Sequence, residues 1–215
     1  MDEKVAHSLE LIEDAVKNYW PRIAVACSGG KDSIALVHLA RQVKPDIPVF
    51  FVDTPFKPQE TRNLIQRIKE MWKLNLKVYR SKKKVPPDLH LTDPDQCCRI
   101  LKVDPTKEAV KDLDCWLSGI RNNEGKTRRD YREVEVRGGL VKVNPLLEWT
   151  EADVWRYTAT RRLPVHPWYA EGYRSIGCTP CSHPGGVDER NGRWKGTTKQ
   201  GGECGIHTIC LKDFK

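Results

Sequence analysis

No apolar run in the 215 residues approaches the roughly 20 that a membrane-crossing helix needs, so a spanning segment is not expected. The amino-terminal stretch MDEKVAHSLELIED lacks the basic and apolar blocks of a secretory signal peptide. It is acidic and amphipathic, and it leads us to expect a soluble, cytoplasmic protein. Wholesale disorder is excluded too, because 39% hydrophobic residues against 31% charged are enough to build a core. There is no internal repeat and no long low-complexity linker, which suits one domain, at most with a small appendage. An acidic surplus is also missing. Lys and Arg (37) outnumber Asp and Glu (29), a net charge of +8 that fits an anionic partner, either nucleic acid or a phosphorylated small molecule.

What the chain does hold is cysteine: Cys27, Cys97, Cys98, Cys115, Cys178, Cys181, Cys204 and Cys210. In a cytoplasmic chain of this size such a set points to metal binding or catalysis rather than to disulfides.

The hydrophobic pattern alternates between strand and helix. Val5, Leu9, Ile12, Val16 and Tyr19 recur at helical spacing and predict a helix over 4–19 that ends at Pro21. Short apolar strands are expected at 22–27, 47–54, 74–80 and 115–120, with helices at 34–43, 59–73 and near 105–112 between them. VEVRGGLVKVNP (134–145) reads as a hairpin turning at Gly138-Gly139. Thr150 should cap a helix over 149–162, with Glu151 and Asp153 in its first turn. The fold class is therefore α/β, with a mainly parallel twisted sheet and a Cys-rich, loop-rich carboxy-terminal segment. Residues 1–163 are expected to form the α/β core and 164–215 a Cys-rich segment packed on it, within one domain overall.

AVACSGGKDSIALVHLA places a Gly-rich turn between a strand and a helix. Gly29 and Gly30 let backbone N–H groups approach an anion, the helix dipole adds to this, and Lys31, Ser28 and Ser33 supply further donors, with Asp32 beside them. The bland reading is a tight turn with a capping Asp or Ser. The spacing is not GxxxxGK[ST]. Cys97-Cys98 and Cys178-x-x-Cys181 lie about eighty residues apart, and four such thiolates make either a zinc site or an iron–sulfur cluster. Buried free thiols and a redox dithiol are the alternatives. Cys27 and Cys115 fall on expected strands and read as core, His38 as packed, and His166 as structural.

The SGGKDS turn resembles the PP-loop of the adenine nucleotide α-hydrolase superfamily, and VDTPFKPQET (52–61) resembles its nucleotide-edge segment, where Asp53 and Thr54 would meet adenine and ribose. The run CCRILK, the segment LPVHPWYAEGYRSIGCTPC (163–181), ERNGRW (189–194) and ECGIH (203–207) together resemble the assimilatory adenylyl-sulfate (APS) and phosphoadenylyl-sulfate (PAPS) reductases, in their iron–sulfur branch. That resemblance implies a 4Fe–4S cluster on Cys97, Cys98, Cys178 and Cys181, and Cys204 as the nucleophile with His207 near it. It implies Lys102, Arg121, Arg190 and Arg193 as grips for phosphate and sulfate. The implied substrate is APS or PAPS. The implied reaction runs through a Cys204 S-sulfonate that a thioredoxin or glutaredoxin-like donor resolves to sulfite.

Three segments depart from the family pattern: SGGKDS in place of SGAED-like loops, Glu124-Gly125 where Gln-Ser is usual, and GGECGIH without a preceding Lys-Thr. They keep two other readings open: an ATP-dependent PP-loop enzyme transferring sulfur to tRNA or DNA, and a nucleotide-sensing iron–sulfur protein without turnover. The run Lys77, Arg80, Lys82, Lys83 and Lys84 is a solvated loop or a docking surface for an acidic donor protein or RNA. Self-association into a homo-oligomer is compatible with the sequence, and no membrane partner is expected.

Overall fold

The computed structural model describes residues 1–186, 188–199, 202–208 and 211; Cys210 lies outside them. Helix α1 (Asp2–Tyr19) leads into strand β1 (Ile23–Ala26), then α2 (Lys31–Val43), β2 (Val49–Val52), α3 (Gln59–Trp72) and β3 (Leu76–Tyr79). Two short helices, α4 (Leu89–Thr92) and α5 (Pro94–Cys98), run through a π turn (Arg99–Val103) into α6 (Asp104–Val110) and β4 (Cys115–Leu117). The hairpin β5 (Val134–Arg137) and β6 (Leu140–Val143) turns on Gly138 and Gly139, both at positive φ (58° and 73°), and α7 (Glu151–Thr160) follows. Beyond Thr160 come 3-10 turns and a last short helix, α8 (Gly205–Thr208).

The sheet order is β3-β2-β1-β4-β6-β5, parallel throughout except for the β5–β6 pair. Residue alternation along the strands sends side chains to two cores. Ile23, Val25, Val49, Phe51, Cys115 and Leu117 pack with α1, α2, α3 and α7, whereas Ala24, Phe50 and Trp116 pack with the π turn and α6. Cys27 and Cys115 are core residues, 3% and 0% exposed. His38 packs between Trp72 and Tyr157, its Nδ1 2.7 Å from the tyrosine hydroxyl.

The expected elements appear with shorter strands. β4 stops at Leu117, because Gly119 must lie flat against the Asp32 backbone, where a Cβ would come within 3.2 Å. Helix α7 begins after Thr150, whose hydroxyl accepts the Asp153 N–H while the Asp153 carboxylate takes the Thr150 N–H. The helical turns over 89–110 that carry Cys97 and Cys98 were not read from the sequence before residue 105. They are brief, start at Pro94 and contain a π turn, so no 3.6-residue period develops.

Candidate active site

The order in which strands are added reverses between the parallel neighbours β1 and β4, and the crevice at their carboxyl ends is where a ligand fits such a sheet. A cleft of about 210 Å³ opens there. Its floor is Ala26 at the end of β1 and Cys27 after it, Val52 on β2, and Trp116 and Ser118 on and after β4.

The phosphate loop forms one wall. Gly29 sits at φ +85°, and a Cβ there would come within 2.9 Å of Thr61, so only glycine suits the turn. Ser33 accepts the Ser28 N–H at 3.1 Å and donates to the Gly30 carbonyl at 2.8 Å, which holds the loop closed on itself. The Lys31 amide donates to the Tyr169 hydroxyl at 2.9 Å.

The Lys31 side chain does not reach the cleft. Its ammonium is 1% exposed, pairs with Glu189, and lies 3.5 Å from Asp32 and 3.9 Å from Glu151. Burial works against its charge, but Asp32, Tyr169 and Glu189 outweigh burial and raise its pKa. Arg121, fully buried, pairs with Asp32 at 2.5 Å and Glu189 at 2.6 Å. Arg128 pairs with Glu124 and, at 2.6 Å, with Glu203; Arg190 reaches Glu203 at 2.9 Å; Arg174 pairs with Glu151. Asp32, Glu124 and Glu189 converge within 4.8 Å of one another, and these cations neutralise them. The Glu124 that replaces the family's usual Gln-Ser thus belongs to an ion-pair lattice.

The opposite wall is sulfur-rich. Cys97 and Cys98 come from α5, Cys178 and Cys181 from a 3-10 turn, and all four line a small cavity beneath Phe56 with His90, Leu101 and Lys102. The Phe56 carbonyl accepts the Thr179 N–H at 2.8 Å, which ties the Cys-x-x-Cys turn to the loop after β2. The Thr54 hydroxyl lies 3.2 Å from the Cys178 sulfur, and Trp194, 1% exposed, packs on the same group with its indole N–H unpartnered. Asp53 is held by Arg62 at 3.2 Å and Arg80 at 3.0 Å. Gly29, Lys31, Asp53, Thr54 and Arg121 are absent from the cleft lining. Ser28, Gly30, Asp32, Ser33, Lys102, Arg190, Arg193, Cys204 and His207 share it.

Two observations bear on what the cysteines hold. First, all four sulfurs line one small cavity, from α5 on one side and the 3-10 turn on the other. Second, Lys57, Lys102 and Arg193 have no carboxylate partner among the described residues, although Lys57 is 8% and Arg193 5% exposed. Three such cations around four neutral thiols would be poorly compensated; four metal-bound thiolates supply the missing negative charge. The residues therefore fit a thiolate-bound metal centre.

Lys57 was not singled out in the sequence, though it sits in VDTPFKPQET. Burial pushes its pKa down to about 8 against the pull of Cys178, and its ammonium reaches the Ser28 carbonyl at 3.4 Å. Lys102 is held above its ordinary range: burial opposes its charge, but Cys178, Cys204 and Cys98 outweigh it.

Cys204 lies against Cys98, with its N–H on the Glu203 carboxylate at 2.8 Å. A hydrogen bond from Cys98, then the Lys102 charge and the Ile206 amide, hold its thiol well below the usual range against burial. A ligating Cys98 has no proton to donate, and Lys102 and the amide then remain. His207 stacks on Trp116, centroids 6.0 Å apart and 8° from parallel, with Nδ1 buried and unpartnered. Burial, with Lys142 and Arg128, pushes its pKa far down, so the imidazole is neutral.

His166 is 1% exposed, bonded to Thr61 at 3.0 Å and to the Trp168 amide at 3.2 Å, with burial lowering its pKa to about 4; it is a structural residue.

An α/β sheet with a Gly-rich turn at its switch point, faced by thiols and cations, defines a nucleotide-binding protein with sulfur chemistry at hand. Residues 22–184 match the phosphoadenosine phosphosulfate reductase domain model. The chain is 37% identical to an adenosine 5'-phosphosulfate reductase of Halalkalibacterium halodurans, covering 93% of this chain and 91% of that protein. It is 35% identical to adenosine 5'-phosphosulfate reductase 1 of Bacillus subtilis over 96% and 92% of the two chains. A phosphoadenylyl-sulfate reductase from Candida auris, solved as a phosphate complex, superposes with a TM-score of 0.70 at 22% identity over 80% of this chain and 88% of that one, a likeness of fold. The chain belongs to the phosphoadenosine phosphosulfate reductase family. Among the described residues no helix is long and apolar enough to cross a membrane.

Proposed function

We propose that this protein reduces APS to sulfite and AMP in sulfate assimilation, with the electrons coming from a dithiol protein. The observation that carries this reading is one cleft holding Cys204, Lys102, Arg190, Arg193 and the phosphate loop together. The names of the relatives, shared over more than nine-tenths of both chains, support APS as substrate.

The Cys204 thiolate attacks the sulfuryl sulfur in line with the bond to the phosphate oxygen. An S–S bond forms, the S–O bond breaks, and its electron pair leaves with AMP. Lys102 holds the thiolate form. Arg193, Arg190 and Lys57 meet the charge developing on the sulfate and phosphate oxygens. The loop amides after Ser28 carry the nucleotide phosphate. His207, neutral and stacked on Trp116, shapes the cleft beside Cys204. A donor thiolate then attacks the Cys204 sulfur and releases sulfite; its second thiol closes a disulfide and frees Cys204. Two donor thiols are oxidised to one disulfide for each APS. Thioredoxin or a glutaredoxin-like protein in the cytoplasm suits this role.

Cys97, Cys98, Cys178 and Cys181 would hold a 4Fe–4S cluster, which when bound supplies a fixed field at the sulfate end of the cleft. In this reading residues 1–163 are the nucleotide-binding core, and 164–215 bring the cysteine turn and the nucleophile to it.

The test is intact-mass spectrometry of anaerobically purified protein incubated with APS, PAPS or ATP and no reductant. A sulfonate adduct from APS, weaker from PAPS and absent in Cys204→Ser, is the expected result. No adduct from either nucleotide, with pyrophosphate released from ATP, would overturn the reading in favour of ATP-dependent sulfur transfer to RNA or DNA.

A further inference from the structure

The tail that carries Cys204 is described over residues 202–208 and at Leu211. Its α8 is a single turn; among the described residues Ile206 and Leu211 pack on the core, Cys204 lies on the cysteine group and His207 stacks on Trp116. Among the described residues the tail is held at the His207 carbonyl, which accepts from Tyr131 and Arg137, and by the residue before the nucleophile. The Glu203 side chain is 4% exposed, and its carboxylate takes Arg128 Nε at 2.6 Å, Arg128 Nη2 at 3.1 Å and Arg190 Nη2 at 2.9 Å. The same carboxylate accepts the Cys204 N–H at 2.8 Å, so its position sets that of the nucleophile's backbone. Both arginines are themselves braced. Arg128 is clamped by Glu124, and Arg190 lies across Gly125, where a Cβ would approach its Cδ to 3.3 Å.

We infer that Glu203 is the positioning residue that seats Cys204 in the cleft, through a buried ion-pair clamp with Arg128 and Arg190. A buried carboxylate between two guanidiniums resists partial separation, because loosening it strands charges out of water. Glu203 and Arg128 fix the thiol near the sulfuryl group without touching the reacting atoms, so their catalytic effect is one of orientation, while Arg190 joins the clamp to the anion it meets. The catalytic meaning rests on the proposed sulfonate chemistry; the seating itself does not.

The experiment therefore has a part that needs no substrate. Cluster-loaded wild-type protein and Glu203→Gln, which removes the charge and keeps the shape, are labelled with iodoacetamide and read by peptide mass. Cys204 is expected to label about tenfold faster or more in the variant, while Cys27 and Cys115 in the sheet core stay unlabelled. Equal Cys204 labelling overturns the inference. So does labelling of the core thiols, which would make Glu203 a general fold residue.

The second part uses APS. In a Cys204→Ser background Glu203→Gln should bind APS within about twofold of its parent, while in the thiol-bearing enzyme adduct formation at saturating APS should slow about tenfold or more. Arg128→Met should show the same split, and the double variant should be no worse than either single one. Binding and rate falling together, or additive losses, would overturn the clamp. A wild type that forms no adduct at all would instead overturn the proposed function and leave the labelling result standing.

Discussion

The phosphate-loop wall and the sulfur wall of the cleft differ in how their charges are balanced. On the loop side Lys31, Arg121, Arg128, Arg174 and Arg190 are matched by Asp32, Glu124, Glu151, Glu189 and Glu203. On the sulfur side Lys57, Lys102 and Arg193 face thiols. The loop wall is also braced by the sheet, whereas the sulfur wall is assembled from α5, two turns and the tail. A neutral, rigid wall suits a nucleotide whose place must not change. A cationic wall suits the group that carries the reaction and whose charge moves.

Removing a cysteine should separate the walls most strongly. If the four cysteines hold the proposed cluster, Cys178→Ser should abolish iron binding and essentially all sulfite formation. Limited proteolysis should then cut beyond residue 164, while a fragment carrying the β1–β4 sheet persists. Cleavage spread evenly along the chain would show that the two walls stand or fall together.

Two glycines sharpen the contrast next. A Cβ on Gly177 would fall about 2.1 Å from an Arg193 guanidinium nitrogen, a flexible tip that can swing away. Gly177→Ala should therefore cost roughly 10- to 100-fold in kcat/KM, about 1.4–2.8 kcal/mol of transition-state stabilisation, with Tm nearly unchanged. Gly119 lies against the Asp32 and Ser33 backbone, which cannot swing. Gly119→Ala should cost about 1–3 kcal/mol of stability and raise KM. Paired kinetics and thermal melts check both; matching profiles for the two variants would erase the distinction.

A smaller effect comes from His166. Its folded pKa lies near 4, below its ordinary 6.5, so between these values the unfolded chain binds the extra proton. Stability should fall as pH drops from about 6.5 toward 4, lowering Tm by roughly 5 °C. His166→Asn should flatten that slope. An unchanged slope in the variant would move the acid sensitivity elsewhere.

The smallest effect is expected far from the cleft. Thr150→Ala removes the α7 cap and should cost about 1 kcal/mol, with kcat/KM unaffected. A loss of activity there would tie α7, through Glu151 and Arg174, to the loop wall more tightly than its ion pairs suggest.

Local features of this site could be read from the sequence. A strand, a Gly-rich turn and a helix are contiguous, so Ser28–Ser33 and the Gly138-Gly139 hairpin show themselves in short windows. The four cysteines were legible as a set by residue type and pairing. Charge partners were not. Lys31 reads as a phosphate ligand until Glu189, well over a hundred residues on, meets it; Glu203 reads as a flank of Cys204 until Arg128 and Arg190 close on it. Thr54 against Cys178 is of the same kind. Such pairs are fixed by the fold's crossings and leave no periodic trace along the chain.

The two cysteine pairs meet beneath Phe56 from segments about eighty residues apart. A cluster bound to both closes that stretch into a ring and removes conformations from the unfolded chain. For a loop of this length the chain-entropy relation for covalent cross-links gives about 4–5 kcal/mol. A cluster charging the sulfur wall, as proposed above, would in that way also act as a long-range staple of the fold, and iron supply would then set how much folded enzyme a cell keeps.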